Sequence, residues 1–198
     1  NGKIWNQYTW KLKIMDTLFK DKNQIEALIN QADDKSETKI LIQQFEKLKQ
    51  DRTPFYLTAK ELEQILNWKL RTQFGRQTKI RRNNTEENIQ LITKTTFLLT
   101  HKNEDIETAL KLKSLTLLYG VEIPVASSIL TLCYPEKYSV IDFRNWRQIF
   151  NPKTKKSYYS TNEYNEYLKR IKYLADKFNF TTQQIDMAIW QKDINENG

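Results

Sequence analysis

A chain of 198 residues has room for one domain or two small lobes, and is long enough to bury an ordinary core. Charged residues make up 28% and hydrophobic residues 39%, which fits a globular protein, and a net charge of +8 favours a polyanionic partner. The single cysteine, Cys133, and single histidine, His101, exclude an intramolecular disulfide, a four-cysteine cluster, and most zinc or histidine-based catalytic schemes within one chain.

Helical periodicity dominates from the N-terminus. Ile4, Tyr8, Leu12, Met15 and Phe19 recur at three- and four-residue spacings and predict a helix over 3–19. The pattern repeats over 23–31 (Ile25, Leu28, Ile29) and over 36–50 (Ile40, Leu41, Phe45, Leu48). Pro54 interrupts it, because proline lacks an N–H and disfavours helix before it. Thr58 with Glu61 then forms a capping box, and Leu62, Ile65, Leu66 and Leu70 carry that helix toward Gly75. Asn84 with Glu87 predicts the next start, Asn103 another, leading through Ile106, Leu110, Leu115 and Leu118 to Gly120. Ser160 with Glu163 and Thr181 with Gln184 open two more. Strand evidence is limited to Tyr138-Ser139-Val140-Ile141, too short to found a sheet, and 151–159 reads as a basic surface loop. The expected fold class is all-α. No apolar run reaches the roughly 18 residues that span a bilayer, and no signal-peptide core opens the chain, so a cytoplasmic setting is expected.

Chemistry concentrates between Leu118 and Phe150. Gly120 stands where a helix must end in a tight turn, a place that tolerates positive φ and lets a phosphate approach the backbone. Pro124 suits the first turn of the following helix, whose free N–H groups could hold an anion. Ala126 and Ser127 are small enough for helices to cross closely. Asp142 follows a short apolar run and opens another helix. Read alone, Gly120-Val121 is an ordinary corner and Asp142 an ordinary N-cap.

Taken together, Leu118, Gly120, Val121, Ala126 and Asp142 resemble the helix-hairpin-helix DNA glycosylase superfamily, whose endonuclease III-like members share this order and spacing. A looser resemblance, to an uncharacterised bacterial branch, covers 57–191 through Trp68-Lys69, Gly120 to Ser127, Ile141 to Arg144 and Trp190-Gln191. It implies a two-lobed helical fold with a cleft. One lobe would span 55–137 and carry the hairpin; residues 1–54 would pack with 138–198 as the other. It further implies double-stranded DNA as partner and a place near the bacterial nucleoid. The activity implied is base eversion followed by hydrolysis of the N-glycosidic bond, with Asp142 stabilising the oxocarbenium character of the sugar and activating water. Trp68, Lys69, Arg144 and Trp146 would line the base pocket. Gly120, Val121 and Glu122 would meet phosphate, joined by the basic run Lys69, Arg71, Arg76, Lys79, Arg81 and Arg82, which contains no acid.

Three departures shape the expectation. Glu122 replaces the second hairpin glycine and sets a carboxylate near the phosphate position. Pro124 stands where bifunctional members carry the Schiff-base lysine, so a lysine-dependent lyase step is not expected. The cysteines of the iron–sulfur cluster are missing, and no cofactor or metal is expected; a monomer is the default. Two other readings remain: a DNA-binding module that kept the hairpin without catalysis, and a scaffold whose basic face meets an acidic protein. Cys133 and His101 read as a core residue and a surface residue. Arg144 could pair with Asp142 and hold it ionised.

Overall fold

The computed structural model describes residues 17–71, 75, 78–152 and 154–198, and the described residues are helical with no strand. In chain order the helices are α1 (Lys22–Gln31), α2 (Lys35–Asp51), α3 (Ala59–Leu70), α4 (Thr78–Arg81), α5 (Glu86–Leu98), α6 (Glu104–Leu115), α7 (Ile123–Cys133), α8 (Phe143–Phe150), α9 (Thr161–Phe178) and α10 (Thr182–Asn197). Among the described residues no helix is long and apolar enough to cross a membrane. The predicted helix over 3–19 lies almost wholly outside the described residues; Thr17 and Leu18, at its end, form a turn.

Local chemistry accounts for the helix ends. Capping boxes form at Thr58–Glu61, Ser160–Glu163 and Thr181–Gln184, each serving two backbone donors that a helix start leaves over. Glu61 also accepts both nitrogens of Arg52 at 2.8 and 2.9 Å, tying the end of α2 to the start of α3 across the proline break. Asn103 caps α6 through Asp105 N and Ile106 N. Two boundaries differ from expectation. α3 stops at Leu70, where Arg71 takes a positive φ of 43°, short of Gly75. The cap of α5 is Thr85, because the side chain of Asn84 is committed elsewhere.

One continuous apolar cluster joins these elements. Its centre is α7, in which Ile123 and every residue from Val125 to Cys133 is buried. Helices α2, α3 and α6 pack against α7, while α10 gathers α1, α8 and α9. Residues 22–51 therefore divide: α1 packs on the C-terminal helix, and α2 packs on α7 and α3 of the central segment. That differs from the grouping expected from the resemblance.

Residues 138–141 form neither helix nor strand, so their polar backbone must be served otherwise. Side chains of three helices do it. Tyr164 Oη donates to Ser139 O at 2.8 Å, and Tyr167 Oη to Val140 O at 2.8 Å. Val140 N donates to Asp186 Oδ2 at 3.2 Å, and Ile141 N to Ser127 Oγ at 3.1 Å. Thr182 Oγ1 donates to Tyr138 O at 2.6 Å. This segment delivers the next residue, Asp142, to a fixed place.

Candidate functional site

Asp142 adopts extended backbone angles as N-cap of α8, and its Oδ1 accepts from Arg144 N and Asn145 N, both at 3.0 Å. Oδ2 remains for other work. It faces the ammonium of Lys69 on α3 at 3.4 Å, in a pair whose side chains are only 14% and 19% exposed. Capping and a partly sheltered, charge-paired carboxylate oxygen thus coexist in one residue. Expected roles for Asp142 as cap and as cavity group use different oxygens.

The pair lines a cavity of about 120 Å³, walled by half-buried Trp68 and Trp190, with Val140 and Met187 adding apolar surface. The volume is below the roughly 300–1,000 Å³ usual for drug-sized ligands, so the occupant is small or enters with one part only. Trp68 is oriented by its indole N–H, which donates to Thr38 Oγ1 at 2.9 Å. Arg71 also lines the cavity and pairs with Asp34 at 3.1 Å.

A second carboxyl shares the cavity. Asp186 on α10 accepts from Val140 N and from the amide of Asn145, and its Oδ1 lies 3.3 Å from Tyr167 Oη. The one hydroxyl hydrogen of Tyr167 goes to Val140 O at the shorter 2.8 Å, and Asp186 Oδ1 is its longer, alternative acceptor. Burial, and then the charge of Asp142, push the Asp186 carboxyl well above the ordinary carboxylate range. The two acids of this cavity thus differ in setting: Asp142 is paired with Lys69, while burial favours the protonated form of Asp186.

That state has a measurable sign. A carboxyl whose folded pKa is raised stabilises fully below its unfolded value, about 3.9, and the contribution is lost as pH rises toward the folded value. Asp186→Asn, which mimics the neutral acid, is expected to unfold within about 1 kcal/mol of the parent at pH 5. Its urea midpoint should fall less steeply than the parent's between pH 5 and 8. Parallel pH profiles would show Asp186 to be ionised.

Several expected site residues sit elsewhere. Arg144 does not pair with Asp142; its Nη1 donates to Asp193 Oδ2 at 3.0 Å, because that fully buried carboxylate on α10 demands cations. Trp146 is 8% exposed, stacked on Phe150 at 3.9 Å and tilted against Tyr159, and belongs to the core rather than to the cavity wall. Arg81 is buried, its Nη2 near Thr78 Oγ1, and the loss of water pulls its pKa down, so it is not placed to meet a phosphate. Lys79 and Arg82 are exposed and form no ion pair among the described residues. Arg76 and Lys153 lie outside the described residues.

At the turn between α6 and α7, Gly120 takes φ 75°, the left-handed conformation that favours glycine. Val121 is buried, and its N–H donates to Leu118 O at 3.1 Å, which removes it from the expected phosphate donors. Glu122 is the exposed N-cap of α7 and makes no side-chain cap bond. Asn84 brackets the turn: it donates to Tyr119 O at 2.9 Å and accepts from Tyr119 N at 2.8 Å. The exposed cations of the 79–82 segment are thereby fastened beside Gly120.

Asn145, Asp186, Tyr167 and Asp193 were not singled out from sequence as site residues. Their one signal is polarity inside otherwise apolar helical stripes, which periodicity alone discounts. Among the described residues no three metal-binding side chains come together. No family model, curated protein or solved structure matches the chain.

Proposed function

We propose that the chain binds double-stranded DNA and acts as a glycosylase-like hydrolase, everting a base and cleaving its N-glycosidic bond with water. The observation that carries this reading is Asp142 Oδ2, presented to a small cavity walled by Trp68 and Trp190 while Oδ1 is locked by the cap. A flat base suits aromatic walls, and a fixed carboxylate is where positive charge on the sugar would be stabilised. The resemblance over 118–150 points the same way, with α6, the Gly120 turn and α7 as the hairpin and a cleft between two helical lobes. Exposed Lys79 and Arg82 beside that turn supply charge for a phosphate backbone. Lys69 reaches Asp142 from α3 as its ion-pair partner, and in this reading it serves as a counter-ion while water is the attacking group.

The same ion pair also favours a second reading. A carboxylate already matched by Lys69 has less to offer a developing cation, as in a DNA-binding module that retained the architecture without the reaction. Base release from duplexes carrying modified and mismatched bases separates the two, with alkali revealing abasic sites. Release that vanishes in Asp142→Asn while duplex binding persists supports the hydrolase. Salt-sensitive binding without release across a broad panel supports the module.

A further inference from the structure

A cluster of cations stands beside the cavity without contributing to its wall. Around the half-buried ring of Phe143, the residue after Asp142, lie Arg144 at 5.3 Å, Arg147 at 5.8 Å and Lys155 at 4.5 Å from the centroid. Arg144 also lies 6.0 Å from the ring of Trp190, which walls the cavity. The cluster is therefore at the rim, next to the carboxylate-bearing end of α8.

Its charges do not balance. Asp193 is the carboxylate that binds these groups: it takes Arg144 Nη1 at 3.0 Å, Arg147 Nε at 2.8 Å and Arg147 Nη2 at 2.6 Å. It is saturated further by Gln148 Nε2 at 3.2 Å and Asn197 Nδ2 at 3.3 Å. Lys155 is exposed and has no ion-pair partner among the described residues. Three cations against one carboxylate leave a surplus of two positive charges around a single ring. The buried aspartate fixes the Arg147 guanidinium through two nitrogens and holds Arg144 through one, while leaving Arg144 Nε and Nη2 and Arg147 Nη1 unused by any bond among the described residues. Oriented, unused guanidinium donors beside an exposed ammonium match a tetrahedral oxyanion, which accepts several charge-assisted bonds at once.

We infer that Arg144, Arg147 and Lys155 form a phosphate site at the cavity rim, and that its ligand is a phosphodiester flanking the nucleotide whose base the cavity receives. The inference rests on the proposed function for its second half only. It makes the substrate a nucleotide within a strand, not a free base or nucleoside. One held phosphate would fix the sugar relative to Asp142 and convert a loose encounter into an oriented one.

Inorganic phosphate tests the first half. At matched ionic strength, 20 mM phosphate is expected to raise the melting temperature of the parent by about 4 °C over chloride, if the site binds near 1 mM. Lys155→Gln should abolish that rise without disturbing the fold, because Lys155 is exposed; Arg144→Gln should abolish it too, but at a lower melting temperature, because buried Asp193 loses a partner. Absence of a phosphate-specific rise, or an equal rise in Lys155→Gln, overturns the site. The strand is tested with a duplex containing a tetrahydrofuran abasic analogue in which one flanking phosphate is a neutral methylphosphonate. On one side of the analogue, neutralisation should weaken the parent about tenfold and Lys155→Gln less than about twofold. Equal penalties in both proteins overturn the strand assignment. Phosphate stabilisation with no preference for the abasic duplex over an intact one would retain the anion site, overturn the strand assignment, and count against the base-eversion reading separately.

Discussion

Asp142→Asn is expected to lower base release by about a thousandfold, the scale on which a single preorganised electrostatic contact acts in a transition state. Its interest lies in what it should leave alone. Asparagine caps a helix about as well as aspartate, so the bonds to Arg144 N and Asn145 N can persist. Melting temperature should stay within about 3 °C of the parent, the residual cost coming from a sheltered Lys69 without its counter-charge. Duplex affinity should hold or rise slightly, since one negative charge has gone. Asp142→Ala differs: it also loses the cap, adding about 1 kcal/mol of destabilisation. Release in Asp142→Asn within tenfold of the parent would reduce Asp142 to a cap.

Asp193→Asn is expected to have the largest effect on stability. The carboxylate is fully buried while its partners Arg144 and Arg147 are 22% and 37% exposed. Removing one member of a buried pair typically costs 3–5 kcal/mol; partial hydration of the arginines favours the lower end, about 3 kcal/mol. For a chain of this length that corresponds to a fall in melting temperature of about 8 °C. Burial acts to raise the carboxyl's pKa, but the hydrogen bonds from Arg147, Gln148 and Arg144 outweigh it and hold the group below its ordinary value. A depressed carboxylate stabilises above its unfolded pKa, and the contribution is lost as pH falls through the folded one. The parent should therefore lose stability below about pH 4 more steeply than Asp193→Asn does. Coincident acid-unfolding curves would show that the network contributes little. The same variant should weaken phosphate stabilisation, because the guanidinium planes lose their anchor.

Much of the helical skeleton was legible because capping chemistry is local. Thr58, Asn103, Ser160 and Thr181 each declare a helix start within three residues, and the structure uses all four. Asp142 was legible for the same reason. What escaped notice depends on partners far along the chain. Nothing near Arg144 announces that Asp193, 49 positions away, will claim it. Trp146 reads as a pocket wall because it lies close to Asp142 in sequence, but that closeness does not decide which space its ring enters. Here it packs against Phe150 and Tyr159. Asn84 read as a cap by residue type, and a long-range bracket to Tyr119 took it instead.

The irregular run through residues 138–141 carries a consequence for exchange of backbone hydrogens with solvent. Its amides are covered by side chains of α7, α9 and α10, so no local fraying exposes them singly. Contacts spanning 14 to 46 positions in the chain must all be broken before Val140 N and Ile141 N meet water. These two amides should exchange among the slowest in the molecule, at a rate set by global unfolding and not by a partial opening. A short stretch with no partner strand would then report the stability of the entire fold.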